Sequence, residues 1–149
     1  MDMGNQMKRF FAVVIAVNNL DEAIKNYQRI GFQVLGRHPR EEWGLEAAQL
    51  RVGPESVIEL IAPVAMEKPV AQTLRKFLDR NGEGVYEVAI EVENLDAVHR
   101  HIKESGARIV ADIHSAPTHP DTRIMWISPK STNGVFLEFM KNSHLSIGK

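Results

Sequence analysis

The chain contains no cysteine. Disulfides, thiol nucleophiles and cysteine-based metal centres are therefore excluded, and a reducing, cytoplasmic setting is the expectation. An excess of one charge is missing too: 18 Lys and Arg against 19 Asp and Glu leave a formal net charge of −1, with no basic block. Nucleic acid and anionic membrane surfaces are not among the expected partners. No apolar run is long enough to span a membrane. The nearest approach, Lys8-Arg9 followed by Phe10 to Val17, is short, has no small-residue cleavage site after it, and is echoed internally by Val85 to Val92; an internally repeated segment reads as a strand and not as a targeting signal. Neither a Gly-rich phosphate loop nor a Ser/His/Asp motif is present.

What is there is a soluble globular composition, 44% hydrophobic and 25% charged, over 149 residues. That is one domain's length, or two half-domains sharing a core. Within it one pattern occurs twice. Asn19-Leu20-Asp21 recurs as Asn94-Leu95-Asp96, and 94 − 19 = 75. At the same spacing Val13, Ile15 and Val17 become Val88, Ile90 and Val92, and Gly31 becomes Gly106. A repeat without insertion across strand, turn and helix marks a duplicated α+β unit. Because there are only two copies, they are expected to pack on each other, with a shared site where equivalent positions meet.

Residues 10–17 alternate and are rich in Val and Ile, which predicts a strand. Asn19 or Asp21 can cap the helix that follows, where Leu20, Ala23, Ile24, Tyr27 and Ile30 recur at helical spacing until Gly31. Phe32 to Leu35 predicts a short strand, and Leu45 to Val52 with Val57 to Ile61 a hairpin about Gly53-Pro54. Val70 to Asp79 reads as a connecting helix stopping near Gly82. The order then repeats: strand Val85 to Val92, helix Leu95 to Glu104, strand Arg108 to Ala111, a polar loop from Asp112 to Asp121, and strands over 122–127 and 135–140. Residues 1–7 and 142–149 read as unanchored tails. The expectation is a single domain over 1–149, with module one at about 8–63, a linker helix at about 64–82 and module two at about 83–141. Alternation also assigns faces. Val88, Ile90 and Val92 should lie under the helices, with Val13, Ile15 and Val17, while Glu87, Ala89 and Glu91 match Ala12, Val14 and Ala16 on the other side.

With its two βαβββ units, the chain resembles the vicinal oxygen chelate superfamily, which includes glyoxalase I, bleomycin-resistance proteins and extradiol dioxygenases. It is most similar to the methylmalonyl-CoA epimerase group. The resemblance is carried by Lys76 to Gly84 followed by Val88 to Val92, by Thr122-Arg123, and by Ser128 to Val135, in phase over residues 10–140. It implies two tandem modules forming a cupped, mostly antiparallel sheet, and a homodimer. It also implies four metal-ligand positions, which in this sequence are Ala12, Glu59, Glu87 and Glu138. The epimerase pattern has His, Gln, His and Glu there, so Glu138 matches, Glu87 replaces a histidine and Ala12 offers no donor. The epimerase pattern also has a glutamate acid/base where this chain has Ala47; Glu46 beside it should point to the opposite face.

Glu59, Glu87 and Glu138 could hold a divalent cation, and three carboxylates with water suit Mg²⁺, Mn²⁺, Ca²⁺ or Co²⁺ better than zinc. The alternative is a metal-free site whose glutamates are hydrated or paired with Arg123 or Arg51. No organic cofactor is expected. Within the polar loop, His114 and His119 flank Ser115 to Thr118 and are either proton carriers or solvated loop residues. His99 and His101 read as helix-surface residues, and His38 and His144 as loop and tail. Trp126 reads as core or helix-facing, Trp43 as a candidate for the pocket rim, and Lys130 as a candidate partner for a phosphate or carboxylate. The functional expectation is an isomerase or lyase that abstracts a proton next to a carbonyl of a small organic acid or acyl-CoA thioester, with Glu138 and Glu87 as catalytic residues. Weak or absent turnover of methylmalonyl-CoA itself is expected. The alternative is a metal-free binding protein of the bleomycin-resistance type.

Overall fold

The computed structural model describes residues 2–116 and 119–142. Among them the fold is mixed α+β, with eight strands and three helices in the order expected of two βαβββ modules. The strands are β1 (Met7–Ala16), β2 (Val34–Arg37), β3 (Leu45–Val52), β4 (Ser56–Pro63), β5 (Gly84–Val92), β6 (Ile109–Ala116), β7 (His119–Ile127) and β8 (Phe136–Asn142). The helices are α1 (Leu20–Arg29), α2 (Pro69–Asn81) and α3 (Leu95–Ser105).

The repeated triplet explains why α1 and α3 start where they do. Asn19 accepts a hydrogen bond from Glu22 N at 3.0 Å, and Asn94 accepts one from Ala97 N at 3.0 Å. Each asparagine satisfies a backbone donor that the first helical turn leaves orphaned. Past the other end of each helix, Gly31 and Gly106 adopt φ of 103° and 81°, a left-handed conformation that side chains resist. The connecting helix α2 opens on Pro69, which loses no bond at a first-turn position, and ends at Gly82.

The chain forms two compact units. In the N-proximal unit, Val13–Tyr86, the strand order runs β2-β3-β4, all antiparallel, with β1 next after β4. Its core packs Val17, Leu20, Ala23 and Ile24 against Ala48, Leu50, Leu60 and Ala62. The C-proximal unit takes the described residues of Met1–Ala12 and Glu87–Leu145. Here β5 pairs parallel with β8, and β8-β7-β6 continue antiparallel. Val92, Leu95, Val98 and Ile102 pack on Met125, Ile127 and Phe139. Ile15 and Val17 pack with α1 in one unit and Ile90 and Val92 with α3 in the other, as alternation requires.

Two expectations fail. The polar stretch Asp112 to Asp121 is not a loop: β6 runs to Ala116 and β7 starts at His119, with His114 opposite Ile124 and Ser115 opposite Arg123. Register shifts between Ala111 and His114 break the period-2 pattern, so the hydropathy alternation that would reveal the strand is lost. Residues 117 and 118 lie outside the described residues. Residues 2–7 are not an unanchored tail either. Asp2 caps a turn over Met3–Asn5, Glu93 N donates to Gln6 O at 2.8 Å, and Met3 packs on the C-proximal core. At the other end, 143–149 lie outside the described residues.

Candidate functional site

The chemistry-bearing side chains lie on the strand faces turned away from the helices. In the N-proximal unit, Leu50, Leu60 and Ala48 face α1, so Ala47, Gln49, Glu59 and Ile61 take the opposite face. Glu46, in register with Ala62, falls on the helix side. Glu59 lies across the ladder from Gln49, whose Nε2 donates to Glu59 Oε2 at 3.4 Å. Its other oxygen faces Arg40, with Nη2 at 3.6 Å from Oε1. The cation at Glu59 is thus neither Arg51 nor Arg123 but Arg40, which is only 8% exposed. Arg40 arrives through a tight turn. It bridges to Leu45 around Glu41–Trp43, and the turn closes at Gly44 with φ 71°. A Cβ at Gly44 would sit 2.6 Å from Ala65 O, so only glycine fits there. Trp43, the rim candidate, is half-buried in this turn.

In the C-proximal unit, Glu87 and Ala89 share a face of β5, and Ala89 is in register with Glu138 of β8. Glu138 is in turn in register with Trp126 of β7, whose indole Nε1 donates to Glu138 Oε1 at 2.9 Å. Trp126 is therefore not core or helix-facing. Met125 and Ile127 occupy the α3 side, so the residue between them must turn the other way. The indole stands edge-to-face against His114 at 5.1 Å and against Phe136 at 5.8 Å, which fixes the direction of its N–H. His114, read from sequence as a loop residue, is a half-buried strand residue with Nδ1 at 2.7 Å from Asp112 O; His119 is exposed at the start of β7. The same face of β5 carries Glu91, only 4% exposed and paired with Arg9 at 2.5 Å and Lys8 at 3.6 Å. Ala12 is buried.

The other candidates stand apart from this chemistry. His99 on α3 pairs with Asp112, and Lys130 lies in the turn Pro129–Ser131. Arg123 forms a two-pronged pair with Asp96, at 2.9 and 3.0 Å. The hydrogen bonds from Arg123 hold the Asp96 carboxyl below its ordinary range, and the pairing holds the guanidinium above its own. A carboxyl depressed in the folded state contributes stability above its unfolded pKa and loses it as pH falls through the folded value. We expect the Asp96 carboxyl resonance to titrate at lower pH than an ordinary aspartate, and to return upward in Arg123→Gln; an unchanged midpoint would refute the pairing.

Residues 12–126 match the family model described as the glyoxalase/bleomycin resistance protein/dioxygenase superfamily. The chain belongs to this superfamily. It is 28% identical over 127 residues to the human mitochondrial methylmalonyl-CoA epimerase, covering 85% of this chain and 69% of that one. Among solved structures it is similar to the methylmalonyl-CoA epimerase of Mycobacterium tuberculosis, with TM-score 0.81 and 31% identity over 97% of this chain and 94% of the other. A variant of the Streptomyces coelicolor methylmalonyl-CoA epimerase in complex with 2-nitronate-propionyl-CoA also matches with TM-score 0.81 and 27% identity, over 93% of this chain and 99% of that one.

The metal that the family resemblance implies does not fit the residues present. Ala12 has no donor atom, Glu59 is engaged by Arg40 and Gln49, and Glu138 Oε1 carries an indole N–H. Among the described residues no group of three or more His, Asp or Glu is placed to hold a metal ion. Nor is any described helix long and apolar enough to cross a membrane.

Proposed function

We propose that this chain is an epimerase-like enzyme that takes a proton from the carbon next to a carbonyl, in a malonyl-type CoA thioester or a related organic acid. The observation that carries it is the Glu138 carboxylate, anchored by a fixed indole N–H on the strand face opposite the helix, in a chain aligned almost throughout with methylmalonyl-CoA epimerases. Trp126 holds Oε1 and keeps the carboxylate from rotating out of line, and the carboxylate so held receives the proton. Glu87, two positions along β5 from the residue beside Glu138, is the second acid/base candidate. Ala47, 1% exposed, supplies no proton-transfer group from β3. Without that group, and with a donor set that does not suit a metal, methylmalonyl-CoA is turned over weakly. Substrates whose α-proton is more acidic, such as 2-oxo acid derivatives, react faster, because less enolate stabilisation is asked of the protein. The same reading includes a homodimer.

The test is hydrogen exchange at the α-carbon. Protein in D₂O should incorporate deuterium into a panel of malonyl-type thioesters and 2-oxo acids, read by proton NMR. Thermal stabilisation by a thioester without exchange in any member of the panel would overturn the enzyme reading in favour of a binding protein.

A further inference from the structure

Between Ala111 and His114, β6 carries an extra residue. Ala111 is in register with Trp126 and His114 with Ile124, so three steps along β6 answer two along β7. The extra residue decides which side chain meets the indole. Without it Ile113 would stand opposite Ile124, on the face of Trp126 and Glu138. With it Ile113 packs into the α3 core and His114 takes the other face. A bulge of this kind re-aims a side chain, and such bulges gather beside functional sites. What it delivers here is an imidazole of defined tautomer. Nδ1 lies 2.7 Å from Asp112 O, and a carbonyl only accepts, so Nδ1 holds the proton and the neutral ring keeps its lone pair at Nε2. The ring is half-buried and stands edge-to-face with Trp126 at 5.1 Å. Nε2 makes no hydrogen bond among the described residues, and it is not one of their buried polar atoms without a partner, so it is open to a ligand. Asp112 is itself held by the pairing of its side chain with His99 of α3.

The same indole donates to Glu138, and all of these groups belong to the C-proximal unit. β6 and β8 flank β7, which sets their backbones roughly 10 Å apart. Side chains leaning over β7 from both strands leave room for one carbon with a proton-transfer group about 3–3.5 Å away on each flank. We propose that His114 is the second acid/base of this chain, paired with Glu138 across Trp126. The inference rests on the proposed function and gives to His114 the role for which Glu87 stands as the candidate there. In one direction the Glu138 carboxylate takes the α-proton, and the C–H electron pair moves into the enolate, with its charge on the carbonyl oxygen. Protonated His114 delivers its Nε2 proton to the opposite face of that carbon. The new C–H bond forms from the enolate electrons, and the configuration inverts. Solvent restores the two protonation states, and the reverse direction exchanges the roles. One protonated and one ionised group are needed at once, and the opposite charges of imidazolium and carboxylate favour that division.

The experiment gives the full-length protein, at stoichiometric concentration in D₂O, each epimer of methylmalonyl-CoA separately. Loss of the α-proton is read by proton NMR, and configuration by an auxiliary enzyme that consumes only one epimer. The parent should exchange and invert both. His114→Gln should lose inversion, and the exchange of one epimer, by about 10²–10⁴-fold, the usual contribution of a positioned acid/base. It should still exchange the other epimer through Glu138, without inverting it, and Glu138→Gln should show the converse selectivity. A merely structural role for His114 would slow both epimers alike. His114→Ala is the second variant: it opens the place of the ring, and added imidazole should restore inversion. A parent that exchanges one epimer without inverting it, a His114→Gln protein that slows both equally, or one that inverts at the parental rate would each overturn the inference and leave the enzymatic reading standing. No exchange of either epimer by the parent overturns the inference as well; the enzymatic reading itself falls only if the whole panel of thioesters and 2-oxo acids fails to exchange.

Discussion

Glu138→Gln should slow α-carbon deuterium exchange by about 10²–10⁴-fold, the usual contribution of a positioned general base. The substitution is nearly isosteric. The glutamine carbonyl can still accept from Trp126 Nε1, now 2.9 Å from Glu138 Oε1, so the aromatic wall of His114, Trp126 and Phe136 remains in place. Folding stability should change by less than about 1 kcal/mol, within the range of substitutions that keep their contacts. The effect should be on the chemical step, with kcat falling and KM little changed, because the base acts in the transition state more than in binding. Trp126→Phe is the companion variant. It keeps an aromatic ring but removes the N–H together with part of the indole, and a hydrogen bond to a charged group is worth about 1.5–3 kcal/mol, so a loss of at least roughly tenfold is expected. A Glu138→Gln protein exchanging at the parental rate would show that another group is the base, and Glu87→Gln would be the next variant to measure.

The largest expected stability effect is at the buried pair on β1 and β5. Arg9→Met should cost about 2–4 kcal/mol, because it strips the main partner from Glu91, a carboxylate 4% exposed. Removing one member of a buried ion pair usually costs about 3–5 kcal/mol. The lower figure is expected because the Arg9 side chain is 20% exposed and Lys8 remains 3.6 Å from the other Glu91 oxygen. Arg9 also lies over the Phe11 ring at 5.7 Å, a contact that methionine replaces by packing alone. Urea unfolding of Arg9→Met, Glu91→Gln and the double variant gives the coupling directly. The double variant should recover most of the loss, since it removes the stranded charge. A single-variant loss below about 0.5 kcal/mol would mean that Glu91 finds water or Lys8 without penalty.

The repeat at a spacing of 75 residues was enough to place both helices and their first strands. The reason is local: an asparagine cap, a 3.6-residue apolar stripe and a glycine stop act within a dozen residues, and the same signals stand at both places. Strand faces followed equally from alternation. Val92 and Ile90 went under α3, and Glu87, Ala89 and Glu91 went to the other side, because pleating leaves no other choice. What the sequence could not supply was pairing. Trp126 looked apolar and therefore internal, and only its register opposite Glu138 in β8 turned it into a hydrogen-bond donor. Asp112 to Asp121 looked like a loop because its hydrophobic period is broken, yet backbone hydrogen bonds to β7 hold most of it as strand whatever its side chains are. Arg9 and Glu91 are 82 positions apart, and Arg40 reaches Glu59 only through the turn at Gly44. Composition and period are properties of neighbours along the chain, and they specified the elements and their faces. Which charge answers which is a property of neighbours in space, so the partners of Glu59, Glu91 and Glu138 were decided by the tertiary structure alone.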